Sequence, residues 1–219
     1  MKNETFIILL LLVFTSCKYD NRDEIDRMLD NTRENLKQEG KKINAKNREW
    51  DSLINNIYEV SKQNQILAYK KIDGIISNNP QLEEFDIQDL HFVKGDILYK
   101  NDSLNEAVKE FTKSGINFPK SLGARAGAFL KLKEYEKCLS DLNKAAEIND
   151  EYLWYIGNYY ESINKKDSAV FFYKKLLNND KVIYKYCGDR IKELENKKTK
   201  LYTELKFIDN QKMTIVWPE

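Results

Sequence analysis

The chain has 219 residues with 36 Lys and Arg against 35 Asp and Glu, and this near-zero net charge argues against a nucleic-acid-binding protein, which would show a basic excess. Hydrophobic residues make up 42% and aromatic residues 12% of the chain, so it can bury a core and does not have the composition of a disordered protein. Only 8 Gly and 3 Pro interrupt it, and its length suits one domain or a short repeat array, so helix is the expected element.

The N-terminus has the pattern of a secretory signal peptide. A short start with one Lys is followed by nine apolar residues, 6–14, and then by the small residues Thr15 and Ser16 directly before Cys17. Nine apolar residues are too few to span a bilayer, whose hydrocarbon core of about 30 Å needs about 20. A short charged start, a short apolar run and small residues after it are typical of a secreted precursor.

The stretch Phe14-Thr15-Ser16-Cys17 resembles the lipobox of bacterial lipoproteins, although Phe14 stands where that motif usually has Leu. The resemblance implies that residues 1–16 are a signal peptide and that Cys17 is lipidated, becomes the first mature residue and anchors the protein in the membrane. Lys18, not Asp, follows the cysteine, and by similarity to Gram-negative sorting rules this implies an outer membrane lipoprotein that faces the periplasm or the cell surface. An ordinary signal peptide with a chance cysteine and an uncleaved anchor are the alternatives.

Residues 17–48 are highly charged and are expected to form a membrane tether that is at least partly helical. Large apolar residues recur every seven positions along this stretch and beyond it: Leu29, Leu36, Ile43, Trp50 and Ile57. The positions halfway between them are polar, at Thr32, Glu39 and Lys46, whereas a coiled coil needs both sets apolar. We therefore expect a tether that lifts the following domain off the membrane, with Gly40 as a candidate bend, and a dimerising coiled coil is the alternative.

Residues 49–198 contain a repeat of 31 residues. Equivalent positions step by 31 in four ladders: Gly95, Ala126, Gly157 and Gly188; Leu98, Phe129, Tyr160 and Ile191; Ala107, Cys138 and Ala169; Phe111, Leu142 and Tyr173. Each unit has a small residue, a large residue three later, a second small residue twelve after the first, and a large residue four after that. This spacing predicts two helices per unit that pack closely at the small residues, with KND, KLKE and INKKD as turns.

This pattern resembles the tetratricopeptide repeat, most closely in the unit AFLKLKEYEKCLSDLNKAAEIND. The resemblance implies an all-α array of about three to four helix pairs in a right-handed superhelix, with a role in protein–protein interaction. An earlier unit is expected as well, because Ala68, Ile72 and Pro80 stand 39 residues before their equivalents in the next unit. The longer step implies an eight-residue insertion around QLEEFDIQ.

Two charged residues depart from the family pattern. Lys94 and Arg125 occupy a position that is usually apolar in this family.

The fourth unit keeps only its first helix, which we expect to be the polar cap that a repeat array needs. The residues expected to face inward are Tyr184, Gly188 and Ile191, and those expected to face outward are Lys185, Asp189, Lys192 and Asn196.

Residues 199–219 form a tail whose apolar residues alternate on either side of the stretch DNQ: Leu205 and Phe207 before it, and Met213, Ile215 and Trp217 after it. This pattern indicates a β-hairpin. A two-stranded ribbon is marginal on its own, so the hairpin would pack against the last helices. A disordered tail is the competing interpretation.

The sequence offers no set of catalytic residues, so we expect a non-enzymatic protein with no metal and no cofactor. His91 is the only histidine, and it stands four residues before Gly95, where the other units have packing residues. No Cys/His spacing suits zinc, and no Ser-His-Asp or Cys-His set can be assembled around this one residue. Cys138 and Cys187 are expected to be small packing residues, too far apart in the array to form a disulfide.

A candidate partner-binding groove follows from the family resemblance, which implies that the first helix of each unit lines a concave groove. The corresponding residues of three units are Phe92, Asp96 and Tyr99, then Gly123 and Gly127, then Trp154 and Asn158. The two glycines are expected to form an open floor between aromatic walls. The alternative is that they only let helices pack closely.

The expected occupant of the groove is another envelope protein or a peptide segment, so the chain is expected to act as an adaptor. A glycan-binding accessory lipoprotein of an outer-membrane uptake system is the alternative, by similarity to the repeat-containing lipoproteins of sugar importers. An envelope hydrolase is disfavoured because no catalytic site can be assembled.

Overall fold

The computed structural model describes residues 22–177, 183–196, 199–205, 208–209 and 214–215. These residues form an all-α protein, as predicted, with two very short strands near the C-terminus. The helices are α1 (Arg22–Gln63), α2 (Gln65–Asn78), α3 (Glu84–Lys100), α4 (Leu104–Lys113), α5 (Pro119–Lys131), α6 (Tyr135–Ile148), α7 (Tyr152–Ser162), α8 (Lys166–Leu177) and α9 (Ile183–Glu195). Phe14, Thr15, Ser16 and Cys17 lie outside the described residues. The described helices include none that is long and apolar enough to cross a membrane.

The chain divides into two compact units, Met1–Leu53 and Ile54–Glu219. Helix α1 is 42 residues long and continues through the predicted end of the tether at residue 48, and Gly40 lies inside it without interrupting it. In the first unit the apolar ladder is exposed, with Leu29, Leu36 and Ile43 each at least 50% accessible. The amphipathic stripe of α1 is therefore uncovered over these residues.

The second unit is the repeat array. Helices α3 and α4 pack as one pair, α5 and α6 as the next, and α7 and α8 as the third, and each pair also contacts its neighbour. Where the earlier unit is expected, α2 contacts α3 and buries Ala68 and Ile72 completely. The inserted stretch QLEEFDIQ forms the turn before α3 and also lengthens that helix, which has 17 residues where α5 has 13.

The small residues of the ladder lie where the two helices of a unit touch. A Cβ atom on Gly95 would come within 2.7 Å of the Phe111 ring, and one on Gly157 within 2.2 Å of the Tyr173 ring. Real Cβ contacts are not this short, so the large residue of the second helix fills the space that the glycine leaves. Gly188 differs, because its nearest neighbour would be the Leu177 side chain at 3.7 Å, which is an ordinary contact.

The turn between the two helices has the same backbone geometry in three units. One residue in each turn has a positive φ: Asp102 at 55°, Lys133 at 61° and Asn164 at 60°. The next amide donates to a carbonyl five residues back: Ser103 to Leu98, Glu134 to Phe129 and Lys165 to Tyr160. This is a helix C-terminal cap with a left-handed residue, and it recurs at the 31-residue step of the ladders.

The two charged residues at usually apolar positions each pair with a carboxylate. Lys94 Nζ donates to Asp73 at 2.6 Å. Arg125 donates from Nε and Nη2 to the two oxygens of Asp141 at 2.7 and 2.8 Å, and both of these side chains are largely buried. The ion pairs satisfy charges that would otherwise be costly between helices.

Helix α9 closes the array with a mixed face. Cys187, Ile191 and Leu194 are buried, and Asp189 and Lys192 are exposed as predicted. The expectation for this helix missed Arg190, whose side chain is only 6% accessible.

Beyond α9 the tail contains one buried stretch and one short ladder. Tyr202 and Leu205 are buried in the core. Strand β1 (Ile208–Asp209) pairs antiparallel with β2 (Thr214–Ile215), with Ile208 opposite Ile215, in the region where the hairpin was expected. Phe207, Met213 and Trp217 lie outside the described residues.

Candidate functional site

The predicted site residues fall into columns that cross helices α3, α5 and α7 at the 31-residue step. We call the surface that carries these columns the groove face. Its three columns are Phe92, Gly123 and Trp154; Asp96, Gly127 and Asn158; and Tyr99, Leu130 and Glu161. The third column adds two residues, Leu130 and Glu161, that the sequence analysis did not single out.

Part of the groove face is covered by the chain itself. Residues 199–205, which we call the return segment, follow α9 without helix or strand and run back over α7. The ring of Tyr202 lies edge-on to Trp154 with 6.3 Å between centroids, and the guanidinium of Arg190 lies 3.8 Å from the centroid of the same ring. Tyr202 is thus held in a slot between an indole and a cation, a favourable arrangement for an aromatic ring.

The return segment is also held by its main chain. The amide of Tyr202 donates to Glu161 Oε2 at 3.0 Å, and Nη2 of Arg190 donates to the carbonyl of Lys200 at 2.9 Å. One charged side chain therefore accepts from the backbone and the other donates to it. We call Glu161 and Arg190 together the main-chain clamp.

The clamp rests on a buried polar network within the array. Glu161 is only 1% accessible and accepts from Arg190 and from the hydroxyl of Tyr173, the latter at 2.7 Å. Asn158 Nδ2 donates to the Tyr173 oxygen at 2.8 Å and to the Trp154 carbonyl at 3.0 Å. Both Trp154 and Asn158 are fully buried, so the structure places them beneath the surface of the groove face.

The protonation of the network follows from its contacts. Burial and the adjacent Glu161 carboxylate raise the pKa of Tyr173 well above its usual value, so its hydroxyl keeps its proton and donates it. Burial alone would lower the pKa of Arg190, but the hydrogen bonds that it donates to Glu161 and Glu193 outweigh burial and raise the pKa. The guanidinium therefore stays charged opposite Glu161.

The two glycines of the groove face are buried and do not form an exposed floor in this structure. A Cβ atom on Gly123 would lie 2.5 Å from Cε1 of Tyr152. Gly123 therefore leaves room for the ring of a residue in the next first helix, which agrees with the packing alternative for this glycine.

The α3 side of the groove face is half-buried. Phe92 packs on Phe111 with 5.6 Å between ring centroids, and the ammonium of Lys120 lies 3.9 Å from the centroid of the Phe92 ring. Asp96 accepts a hydrogen bond of 2.9 Å from the Tyr58 hydroxyl. This hydrogen bond occupies the Asp96 carboxylate and joins α3 to the C-terminal end of α1.

Tyr99 lies at the end of α3, with Lys131 Nζ 4.4 Å from its ring centroid. Burial and then the negative charges of Glu204, Asp102 and Asp96 raise the pKa of Tyr99. Glu204 of the return segment is therefore close enough for its charge to act on Tyr99.

A shallow pocket of about 90 Å³ lies at the other end of α3. Phe85 and Phe118 form an edge-on pair beside it with 6.2 Å between ring centroids, and both are substantially exposed. Its lining residues are Phe85, Gln88, Asp89, Phe92, Ser114, Phe118, Lys120 and Ser121. Phe92 thus borders both this pocket and the groove face.

The remaining reactive side chains have structural surroundings. His91 Nδ1 lies 2.7 Å from Glu110 Oε2, and because a carboxylate only accepts, the ring nitrogen donates across the α3–α4 contact. Cys138 and Cys187 are buried with free thiols, and burial raises the pKa of each to about 12. Within the described residues no group of three or more His, Cys, Asp or Glu is arranged to hold a metal ion.

The sequence carries a signal for the main-chain clamp. Glu161 is the only charged member of its column, in which the other two are Tyr99 and Leu130. Arg190 stands 31 residues after Tyr159, which is buried. Two opposite charges at positions that other units fill with apolar or aromatic residues indicate a buried ion pair.

No model of a known protein family matches the chain. Among curated proteins, the heat shock protein sti1 homolog of Schizosaccharomyces pombe is 36% identical over 63 residues, which are 27% of this chain and 11% of that protein. Among solved structures, a tetratricopeptide repeat protein from Parabacteroides merdae is similar with a TM-score of 0.51 and 22% identity, over 67% of this chain and 60% of that chain. The chain therefore spans less than two thirds of either protein. The structural likeness confirms a tetratricopeptide-repeat-like fold.

Proposed function

We propose that the chain is a membrane-anchored adaptor lipoprotein of the bacterial cell envelope that binds another envelope protein through its groove face and catalyses no reaction. The observation that carries this proposal is the return segment, which the groove face holds through main-chain hydrogen bonds although the segment forms neither helix nor strand. A surface that holds one stretch of chain through main-chain hydrogen bonds has the chemistry to hold another.

The anchoring part of the proposal rests on the lipobox-like stretch that ends at Cys17. The two or three acyl chains of a lipoprotein hold it stably in a membrane, whereas one chain gives only marginal binding. Helix α1 supports the tether, because 42 residues at about 1.5 Å each give roughly 60 Å of charged helix. In this proposal the anchor fixes the location and the array supplies the binding surface.

Crosslinking in membranes followed by pull-down and mass spectrometry tests the adaptor function. Wild type is compared with Tyr99→Ala on the groove face and with the matched control Phe171→Ala, an aromatic residue of α8 that is 63% accessible. We expect the control to recover the same partner protein as wild type and Tyr99→Ala to recover at least tenfold less.

Equal recovery by both variants would place the partner elsewhere and reject the groove face. Binding of labelled oligosaccharides to wild type, together with no protein partner, would support the glycan-binding alternative. Thermal melts of both variants must match wild type for the comparison to hold.

A further inference from the structure

Resting on the proposed function, we propose that the return segment is an intramolecular ligand and that the clamp and its aromatic slot form a binding site for an extended partner segment with a tyrosine or similar aromatic residue. Such a segment would place its aromatic side chain where Tyr202 now lies. It would have to displace residues 199–205 to bind.

The main-chain clamp binds backbone groups of the return segment. The clamp holds the carbonyl of Lys200 and the amide of Tyr202, and both groups occur in any extended peptide. Two side chains of the segment add to these contacts, because the Tyr202 ring lies between Trp154 and Arg190 and Leu205 is buried in the core. A partner therefore needs the two main-chain groups, one aromatic residue and an apolar residue three positions after it to reproduce these contacts.

The groups that hold the main-chain clamp in place lie outside the return segment. Glu161 is held by Arg190 of α9 and Tyr173 of α8, and Arg190 is further bound by Glu193 at 2.6 Å. None of these groups belongs to the return segment. If the segment leaves, the carboxylate and the guanidinium stay paired and keep an acceptor and a donor for another main chain.

The return segment is tethered to the site because it is part of the same chain. The return segment has no helix or strand of its own, and its hydrogen bonds to the clamp reach 41 residues back along the chain for Tyr202. A tethered occupant of this kind competes with a free peptide at an effective concentration on the order of millimolar. Binding of a partner is consequently weakened until the segment is displaced or outcompeted.

Hydrogen exchange on the unmodified full chain is the first test. We expect the amide of Tyr202 to exchange at least tenfold faster than the amide of Ile156 in α7, through an opening that leaves the helices protected. If both amides exchange together, only when the whole array unfolds, the segment is a permanent part of the core and the proposal is overturned.

A peptide competition on the full chain is the second test. The probe is a fluorescent peptide with the sequence TKLYTEL of residues 199–205. We expect it to bind the Tyr202→Ala chain at least tenfold more tightly than wild type, because the internal competitor has lost its ring. A peptide with alanine in place of its tyrosine serves as the negative control, and the chain variant Tyr135→Ala, altered at an exposed tyrosine of α6, should bind like wild type.

Equal affinity for both chains, or no binding to a folded Tyr202→Ala chain, would overturn the proposal. So would unfolding of the array by Tyr202→Ala, because the segment would then belong to the core. These results are independent of the adaptor function. A partner recovered through Tyr99 without peptide binding would leave the adaptor intact, and peptide binding without any recovered partner would leave only self-occupancy.

Discussion

Single residues in the array are constrained by contacts of a few atoms, and equivalent positions can differ sharply. Gly157 and Gly188 occupy the same ladder position, yet only Gly157 has a ring within contact distance of its missing Cβ. Helix α8 supplies the large partner, Tyr173, for Gly157. The described residues contain no second helix after α9, and so Gly188 meets only the Leu177 side chain.

This contrast predicts opposite effects of the same substitution. Gly157→Ala should lower the free energy of unfolding by about 1–3 kcal/mol, since the methyl group would overlap the Tyr173 ring. Gly188→Ala should raise it by up to about 1 kcal/mol, because alanine favours helix and has room. Urea denaturation of both variants measures the difference. A loss of stability in both would show that α9 packs more tightly than its contacts indicate.

Gly123 raises the question of packing against function at one residue. Gly123→Ala should destabilise the array by about 0.5–2 kcal/mol, because its methyl group would displace the Tyr152 ring. The same change in a Tyr152→Ala background should have no cost, and alanine's helix propensity should then give a small gain. A double-mutant cycle by thermal unfolding checks this coupling. Equal costs in both backgrounds would mean that Tyr152 is not the constraint.

Buried ion pairs join neighbouring helices in addition to apolar contacts. The ion pair of Glu110 with His91 makes the stability of the fold depend on pH. Burial alone would raise the pKa of Glu110, but hydrogen bonds from His91 and Lys113 and the charge of Lys94 lower it to about 2, from about 4.5. A carboxyl whose pKa is lower in the folded state stabilises the fold above its unfolded pKa. This contribution is lost as pH falls from about 5 towards 2.

Glu110→Gln should therefore lower the free energy of unfolding by roughly 1–3 kcal/mol at neutral pH and flatten its decline between about pH 5 and 3. The matched control is Glu106→Gln, an exposed residue of the same helix α4, which should leave both quantities within about 0.5 kcal/mol of wild type. Chemical denaturation across this pH range gives the comparison. An unchanged acid limb in Glu110→Gln would assign the pH dependence to other carboxylates.

How far the sequence predicts the elements depends on how local their determinants are. Two helices that pack at a glycine need a large residue in the partner, and so Gly95 with Phe111 and Gly157 with Tyr173 were visible as spacing alone. The tail over α7 was not, because residues 199–205 have no helical periodicity and are held by main-chain hydrogen bonds. Main-chain hydrogen bonds do not require a particular residue type, so the sequence does not reveal them directly. Their one indication is the charge of Glu161 and Arg190 at positions that the preceding units fill with uncharged residues.

At the scale of the whole molecule, a helix with an uncovered apolar stripe precedes an array with its own core. The 42 residues of α1 span both units, and the exposed Leu29, Leu36 and Ile43 lie in the first. The sequence predicts the location of the protein only through residues 1–17, which lie outside the described part of the chain. Anchoring through Cys17 therefore stays a prediction and needs its own test.

Replacing Cys17 by alanine should move the protein from the membrane fraction to a soluble or unprocessed form, because the acyl chains would have no attachment point. Cell fractionation with detection by immunoblot measures the shift, and Cys138→Ala is the control in which a buried thiol is removed instead. A Cys17→Ala protein that remains in the membrane fraction at the same processed size as wild type would reject the lipoprotein hypothesis. A fatty-acid probe should label the wild-type protein and should not label the Cys17→Ala protein.

The left-handed turn residues Asp102, Lys133 and Asn164 have a consequence for how such an array can change over generations. Because the same turn recurs every 31 residues, a duplication or deletion that begins at one turn and ends at the next adds or removes one whole unit. The remaining helices then keep their places in the repeat. Duplication or loss of a unit is thus a small step in inheritance, although side chains as different as Gly123 and Trp154 stand at matching positions. The number of units in the array can therefore change while the turns between paired helices stay the same.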